Sequence, residues 1–192
     1  MGKYGPNRDP EARDRILEAT RRIIADEGPG GASVSAIARA AGAGKQTIYR
    51  WWPTRTALVA EALEEIFEQE SAFPSTDDPL ADLRAQMTSA ARLMRSPAGA
   101  MIRELIADAQ TDPDALALFR DRFFDVRRRY ARDAIERGVA SGRFRADADV
   151  VAVIDALYAP LWLRLLTGHA PLTPRAVSTI AETVLTGIER RD

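Results

Sequence analysis

Cysteine is absent from this chain of 192 residues, and histidine occurs once, as His169. The first absence excludes disulfides and thiolate chemistry. With one histidine besides, no donor set for a structural zinc site remains, and the position of His169 after Gly168, at a helix end, suits an imidazolium facing a helix C-terminus. Lysine is nearly missing: only Lys3 and Lys45 occur among the 27 basic residues, and the rest are arginine. No uninterrupted apolar stretch approaches a membrane span, and the opening MGKYGPNRDPEARDR has no apolar run of the signal-peptide kind. No membrane partner is expected, and a cytoplasmic location is. P-loop, dinucleotide and nucleophile-elbow patterns are missing too. Glu64, Glu65, Glu68 and Glu70 read as a solvated helix face, not as paired catalytic carboxylates. Neither enzymatic activity nor a cofactor or metal is expected.

What is present is charge of uneven placement and an almost unbroken series of helix signals. The net charge is −1, yet residues 1–56 hold ten basic against six acidic side chains and the remainder is acidic. A basic head on an acidic body suits a head that meets a polyanion. Asp9-Pro10, Asp78-Pro79, Asp112-Pro113 and Thr173-Pro174 each place a capping residue before a proline, which starts a helix well. Helices are predicted from Pro10 to the glycines at 28–31, over 34–41, 45–51 and from 55, then at about 79–95, 98–110, 113–140, 148–168 and 174–190. No strand alternation or fixed repeat appears. The fold class is all-α: three N-terminal helices over 1–56 with the layout of a helix-turn-helix, joined to a helical bundle over 57–192. The loop at 73–78 is too short for a flexible linker, so head and body share the fourth helix.

Residues 41–53, AGAGKQTIYRWWP, mix rings that belong in a core with charges that belong in water. A helix-turn-helix resolves that mixture, because its second helix enters the major groove. Ile48 and Trp52 are expected as anchors packed on the domain. Lys45, Gln46 and Thr47 are expected to reach base edges or phosphates, and Tyr49 and Arg50 to grip phosphate.

The run SVSAIARAAGAGKQTIYRWWPTRTALVAEAL resembles the DNA-binding domain of TetR-family transcriptional regulators over about residues 10–65. The matching positions are Ser33, Ile37, Ala38, Ala41, Gly42, Lys45, Thr47, Ile48, Tyr49, Trp51, Trp52, Pro53, Thr54, Arg55, Ala57 and Leu58. The resemblance implies phosphate contacts from Ser33, Thr47, Tyr49 and Arg55, and recognition-helix contacts from Lys45, Gln46 and Arg50. It departs from the family pattern at Gly44, where a capping hydroxyl is common, at Gln46, where glycine is frequent, and at Arg55, where lysine is usual.

RELIADAQTDPDALALFRDRF and LYAPLWLRLLTGHAPLT resemble the regulatory domain of a TetR subgroup. The resemblance implies a small effector of unknown identity among the middle helices, and a homodimer through the last two. Apolar striping agrees with the second expectation and assigns Val153, Leu157, Leu161, Val177, Ile180, Val184 and Ile188 to the dimer interface. Met87, Met94, Met101, Phe119, Phe123, Tyr158 and Trp162 are the candidate effector-pocket residues. Pro160 inside its helix is expected to open a kink between Tyr158 and Trp162. Arg127-Arg128-Arg129, with Arg120, Arg122 and Arg132, reads as a solvated, salt-bridged face. The whole points to a bacterial, nucleoid-associated regulator that binds double-stranded operator DNA, a repressor released by an apolar or aromatic effector. An activator of the same build, a non-specific nucleoid protein, and a helical small-molecule binder or enzyme without DNA are the alternatives.

Overall fold

A computed structural model describes residues 9–190; Lys3 and Arg8, counted in the basic head, lie outside them. The described residues form α-helices and turns, with no strand beyond one isolated bridge between Phe144 and Glu189. The head holds α1 (Pro10–Glu27), α2 (Val34–Ala41) and α3 (Lys45–Trp51). α4 (Arg55–Glu70) runs from head into body. The body continues with α5 (Pro79–Arg95), α6 (Pro97–Ala109), α7 (Pro113–Phe119), α8 (Asp125–Ala140), α9 (Val150–Thr167) and α10 (Pro174–Ile188).

The caps that the sequence offers are made. Asp9, Ser33, Thr54, Asp78, Ser96, Asp112, Asp149 and Thr173 each accept a backbone N–H from the first turn of the adjoining helix, which satisfies donors the helix itself cannot. Gly42 ends α2 at φ 61°, a left-handed conformation that lets the chain turn directly into α3. Gly44 caps α3 with no side-chain hydrogen bond, so the departure from the family pattern at this position leaves that helix start without a hydroxyl.

The helix predicted over 113–140 is continuous but not uniform. Between α7 and α8 the residues Arg120–Phe124 form a π-turn. Such a turn adds one residue to the helical repeat and so rotates α8 relative to α7, and it is common at functional sites.

One contiguous core runs through both regions. Ile16, Leu17, Ile37, Ile48 and Trp52 seal the head, Leu58, Leu63 and Phe67 carry the core along α4, and Leu83, Met87, Met101, Leu157 and Leu185 fill the body. α4 packs on α1 at one side and on α6 and α7 at the other. The shared fourth helix is thus wedged between head and body.

By length and composition α9 suffices to cross a membrane, although charged residues interrupt its apolar run. Its Ile154, Leu157, Leu161 and Leu165 side is buried in the bundle, and it carries Asp155 and Arg164.

Candidate functional site

α3 is a seven-residue rod with two unlike sides. Ile48 and Trp52 are buried, and the Trp52 indole N–H donates to Glu61 of α4 at 2.8 Å. That ring therefore fixes the end of α3 against the helix leading into the body. Opposite it, Lys45, Gln46 and Arg50 are exposed, Thr47 is half-buried and Tyr49 is 51% exposed. The outward row presents an ammonium, an amide, a guanidinium and a phenol within two turns. Such groups can reach base edges and phosphates together. Ser33 is exposed but its Oγ already accepts the Ala36 N–H at 3.1 Å, so toward a phosphate it has its own O–H to donate.

Arg55 is placed differently from the phosphate contact implied by the family pattern. Its Nε donates to the Ala32 carbonyl at 2.7 Å, and Nη1 and Nη2 reach the two carboxylate oxygens of Glu104 at 2.7 and 3.3 Å. The fork that distinguishes arginine from lysine is used inside the protein. Beside it on α4, Thr56 Oγ1 donates to Asp108 at 2.8 Å. Glu104 and Asp108 are four apart on α6, so the start of α4 is fastened to one face of that helix. Glu61 adds a second fastening: besides Trp52 it pairs with Arg13 of α1, and Arg122 of the π-turn stands 3.8 Å away. These long-range contacts were not read from the sequence, because no local spacing announces partners so far apart along the chain.

In the body, Met94, Phe123, Tyr158 and Trp162 line one cavity of about 40 Å³ with Phe67 and Ile154. Met87, Met101 and Phe119 do not line it. Met87 and Met101 are fully buried packing, and Phe119 stacks behind, its centroid 6.0 Å from Phe123 and 6.1 Å from Trp162. Pro160 lies inside α9 without ending the helix, on the side that carries the exposed Ala156 and Ala159, and is not among the residues that line the cavity. A second cavity of about 220 Å³ adjoins the first, reaching Ser71, Phe73 and Tyr130. Wider openings of about 390 and 600 Å³ lie at the head–body cleft and at the end of the bundle, both flanked by charged side chains.

The arginine run on α8 and the π-turn is mostly the salt-bridged face that was expected. Arg120 pairs with Asp121, Arg122 with Glu64, Arg128 with Asp155 and Arg132 with Glu136. Arg127 breaks the pattern. Its guanidinium lies 3.5 Å over the Phe67 ring, and both cavities touch it. Burial lowers its pKa to about 10 against the raising pull of Glu64 and Glu68, so it is still a cation at neutral pH. Tyr158, half-buried beside it, donates its O–H to Gln86 Oε1 at 2.7 Å, and desolvation pushes that phenol well above its ordinary range.

The dimer-interface expectation needs correction. Val153, Leu157, Leu161, Val177 and Ile188 are buried in the chain's own core, leaving only Ile180 and Val184 half-exposed. The apolar stripe and the outer face of α9 were interchanged, since a helix apolar on most sides does not declare which side is inside. Its outer face carries Ala152, Ala156, Ala159, Leu163 and Leu166, with the two leucines 54% and 47% exposed.

A helix-turn-helix presenting a polar row, carried by a helical body with an internal cavity, defines a DNA-binding regulator of transcription. The chain belongs to the TetR family: residues 16–62 match the bacterial regulatory proteins of the tetR family, and residues 73–184 match the tetracyclin repressor-like C-terminal domain. It is 31% identical over 166 residues to the HTH-type transcriptional regulator YdeS of Bacillus subtilis (strain 168), covering 86% of this chain and 84% of that one. The crystal structure of the TetR family transcription regulator SCO0332 superposes with a TM-score of 0.81 at 32% identity, covering 94% of this chain and 100% of the other. RolR in complex with resorcinol shares the fold, with a TM-score of 0.70 at 18% identity over 93% of this chain and 88% of its own. The protein is thus a non-enzymatic, DNA-binding transcriptional regulator, of a family that binds operator DNA, forms dimers and binds small molecules. Among the described residues no cluster of His, Asp or Glu could hold a metal ion.

Proposed function

We propose that this regulator is a homodimeric repressor of the cytoplasm and nucleoid, released from its operator by a small effector with an apolar or aromatic body. Residues 1–56 act as the DNA-binding head and 57–192 as the effector-binding and dimerisation body. Lys45, Gln46, Thr47, Tyr49 and Arg50 read or grip the duplex from α3, and Ser33 adds a phosphate contact from the start of α2. The observation that carries this reading is the two-sidedness of α3: Ile48 and Trp52 anchor it while the polar row faces solvent. The Ala-rich outer face of α9, with Leu163 and Leu166, is the dimer surface, and two copies meeting there form an isologous interface. Small residues let two helices approach closely, and the leucines supply apolar area.

The effector site is the cavity under Tyr158 and Trp162; RolR, of the same fold, holds the aromatic ligand resorcinol. α6 conveys the signal. A ligand that shifts α5 moves the α6 packed on it, and Glu104 and Asp108 pull on the start of α4, tilting α3. An effector that favours heads misaligned for successive major grooves lowers operator affinity, and by linkage operator DNA lowers effector affinity by the same factor.

The test begins by selecting bound fragments from the host genome. On the selected fragment, Lys45→Ala combined with Tyr49→Ala weakens binding ~100-fold or more, since each groove or phosphate contact is worth about 1–3 kcal/mol and the dimer repeats it. Circular dichroism and sedimentation stay as in the parent. Undiminished binding by that double variant refutes the head assignment.

A further inference from the structure

Two side chains converge where the two body cavities meet, the half-buried Arg127 and the buried Gln86, and each keeps an N–H group that finds no acceptor among the described residues. The first is Arg127. Its Nη1 donates to the Phe123 carbonyl at 3.1 Å, while Nε is sealed from solvent without a partner. None of its nitrogens comes within ion-pair distance of a described carboxylate; Glu64 and Glu68 act on it only from farther out. The edge left over is the Nε–Nη2 side, two parallel N–H groups in the arrangement that grips a carboxylate with both oxygens. The second is Gln86, 1% exposed, whose Oε1 is taken by Tyr158. That bond turns the amide so that its NH2 group is what remains, and Gln86, like Arg127, lines both cavities.

A sealed donor without an acceptor is costly, and more so on a charged group; here that donor is the Nε–H of Arg127. Stacking on Phe67 returns part of that cost but leaves the N–H edge unanswered. A neighbouring helix face shows what the chain does with an arginine that needs only a structural partner: Arg137, farther along α8, meets the Asp82 carboxylate at 2.9 Å. The cavity that Arg127 and Gln86 share is lined instead by Phe123, Tyr158, Trp162 and Met94, an apolar wall, and by Arg128, whose charge is already met by Asp155.

We propose that the effector is an amphipathic acid, its carboxylate held by Arg127 and Gln86 and its apolar body seated against Phe123, Met94, Tyr158 and Trp162. This rests on the reading of that cavity as the effector site. Cavities of about 40 and 220 Å³, separated by the Arg127–Phe67 stack, are small against the pockets of ~300–1,000 Å³ that hold drug-sized ligands. They suit a monocyclic aromatic acid or a medium-chain aliphatic one, with Arg127 swinging off Phe67 to join them.

The experiment uses the full-length dimer and matched probes: phenylacetate, 4-methylbenzoate, hexanoate and octanoate, each beside its own methyl ester. Thermal midpoint and displacement of the selected operator fragment are read for every pair. At least one acid is expected to raise the midpoint and displace DNA at a concentration ~10-fold below its ester, the margin of a charge-assisted bidentate contact. Arg127→Met brings acid and ester level, Arg127→Lys keeps part of the difference, and Gln86→Leu removes a smaller share. Helical circular dichroism certifies each variant, and the acid–ester comparison in the parent protein decides even if a variant fails to fold. Esters that act as well as acids overturn the carboxylate head and leave the effector cavity standing. If no probe in either form moves either readout, head group and effector cavity fall together.

Discussion

Two segments of this protein mix arginine with aromatic rings, and they use the mixture in opposite ways. Over 45–52 the rings Trp51 and Trp52 turn inward or lie half-covered, while Lys45 and Arg50 stay in water. Over 119–130 Arg120, Arg122 and Arg128 pair with acids, whereas Arg127 lies half-buried on Phe67. A cation over a ring face is attractive in both places, but desolvation sets the sign of the balance. At the head, Lys45 and Arg50 are exposed to solvent, on the side of α3 opposite its buried anchors. In the body, Arg127 has given up water on one edge, and that edge awaits an acceptor.

The largest effect expected from breaking the head's side of this comparison is at Trp52. Its ring is buried and its N–H serves Glu61, so Trp52→Ala costs about 3–5 kcal/mol of stability and strips one donor from the carboxylate at the head–body seam. Tyr49→Ala, on the wet side of the same helix, stays within about 0.5 kcal/mol of the parent. Urea denaturation of both variants checks the pair. Similar losses at the two positions show that α3 lacks the division into anchor and reading sides.

A second expectation sharpens the body's side, by contrasting Arg127 with the inward arginine that has a partner. Asp82 is buried, yet its pKa is lowered: burial raises it, but the N–H and O–H of Thr76 and the Arg137 guanidinium together outweigh that push. A carboxyl depressed in the folded state adds stability that is fully present above the unfolded value of about 3.9 and is lost as pH falls through the folded value. Asp82→Asn therefore costs about 1–3 kcal/mol at pH 7 and makes the acid limb of the stability curve shallower. An unchanged acid limb shows that this carboxyl is not held down by Thr76 and Arg137.

How much of this was legible in the sequence depends on which interactions are local. Caps, prolines and Gly42 announce helix ends within four residues, and the helix boundaries came out within a residue or two. The anchors Ile48 and Trp52 were legible because α3 is short and its two chemistries separate cleanly by period. α9 was not, since apolar residues surround it and periodicity alone gives no inside. Its interface residues were placed on Val153, Leu157 and Leu161, which the bundle buries. The pocket residues Met87, Met101 and Phe119 fail for a related reason: core and cavity lining have the same composition. Arg127 was hidden within a run of arginines most of which pair with acids.

Arg55 gives the smallest effect and the finest discrimination, because the family pattern and the structure give it different partners. If it serves as a latch, Arg55→Lys keeps the charge, loses the forked grip on Glu104 and the bond to Ala32, and lowers stability by about 1 kcal/mol. Glu104→Gln then does much the same from the other side, and the double variant costs less than the sum, with a coupling of about 0.5–1 kcal/mol. The latch also predicts that both single variants alter how strongly an effector displaces DNA, since each loosens α4 from α6. If Arg55 instead grips phosphate, Glu104→Gln leaves operator binding untouched, and Arg55→Ala flattens the salt dependence by about one unit of slope. Stability, effector displacement and salt slope, measured on the same set of variants, separate the two. A flattened slope with no coupling to Glu104 returns Arg55 to the DNA face, and then α6 loses the stronger of its two holds on the head.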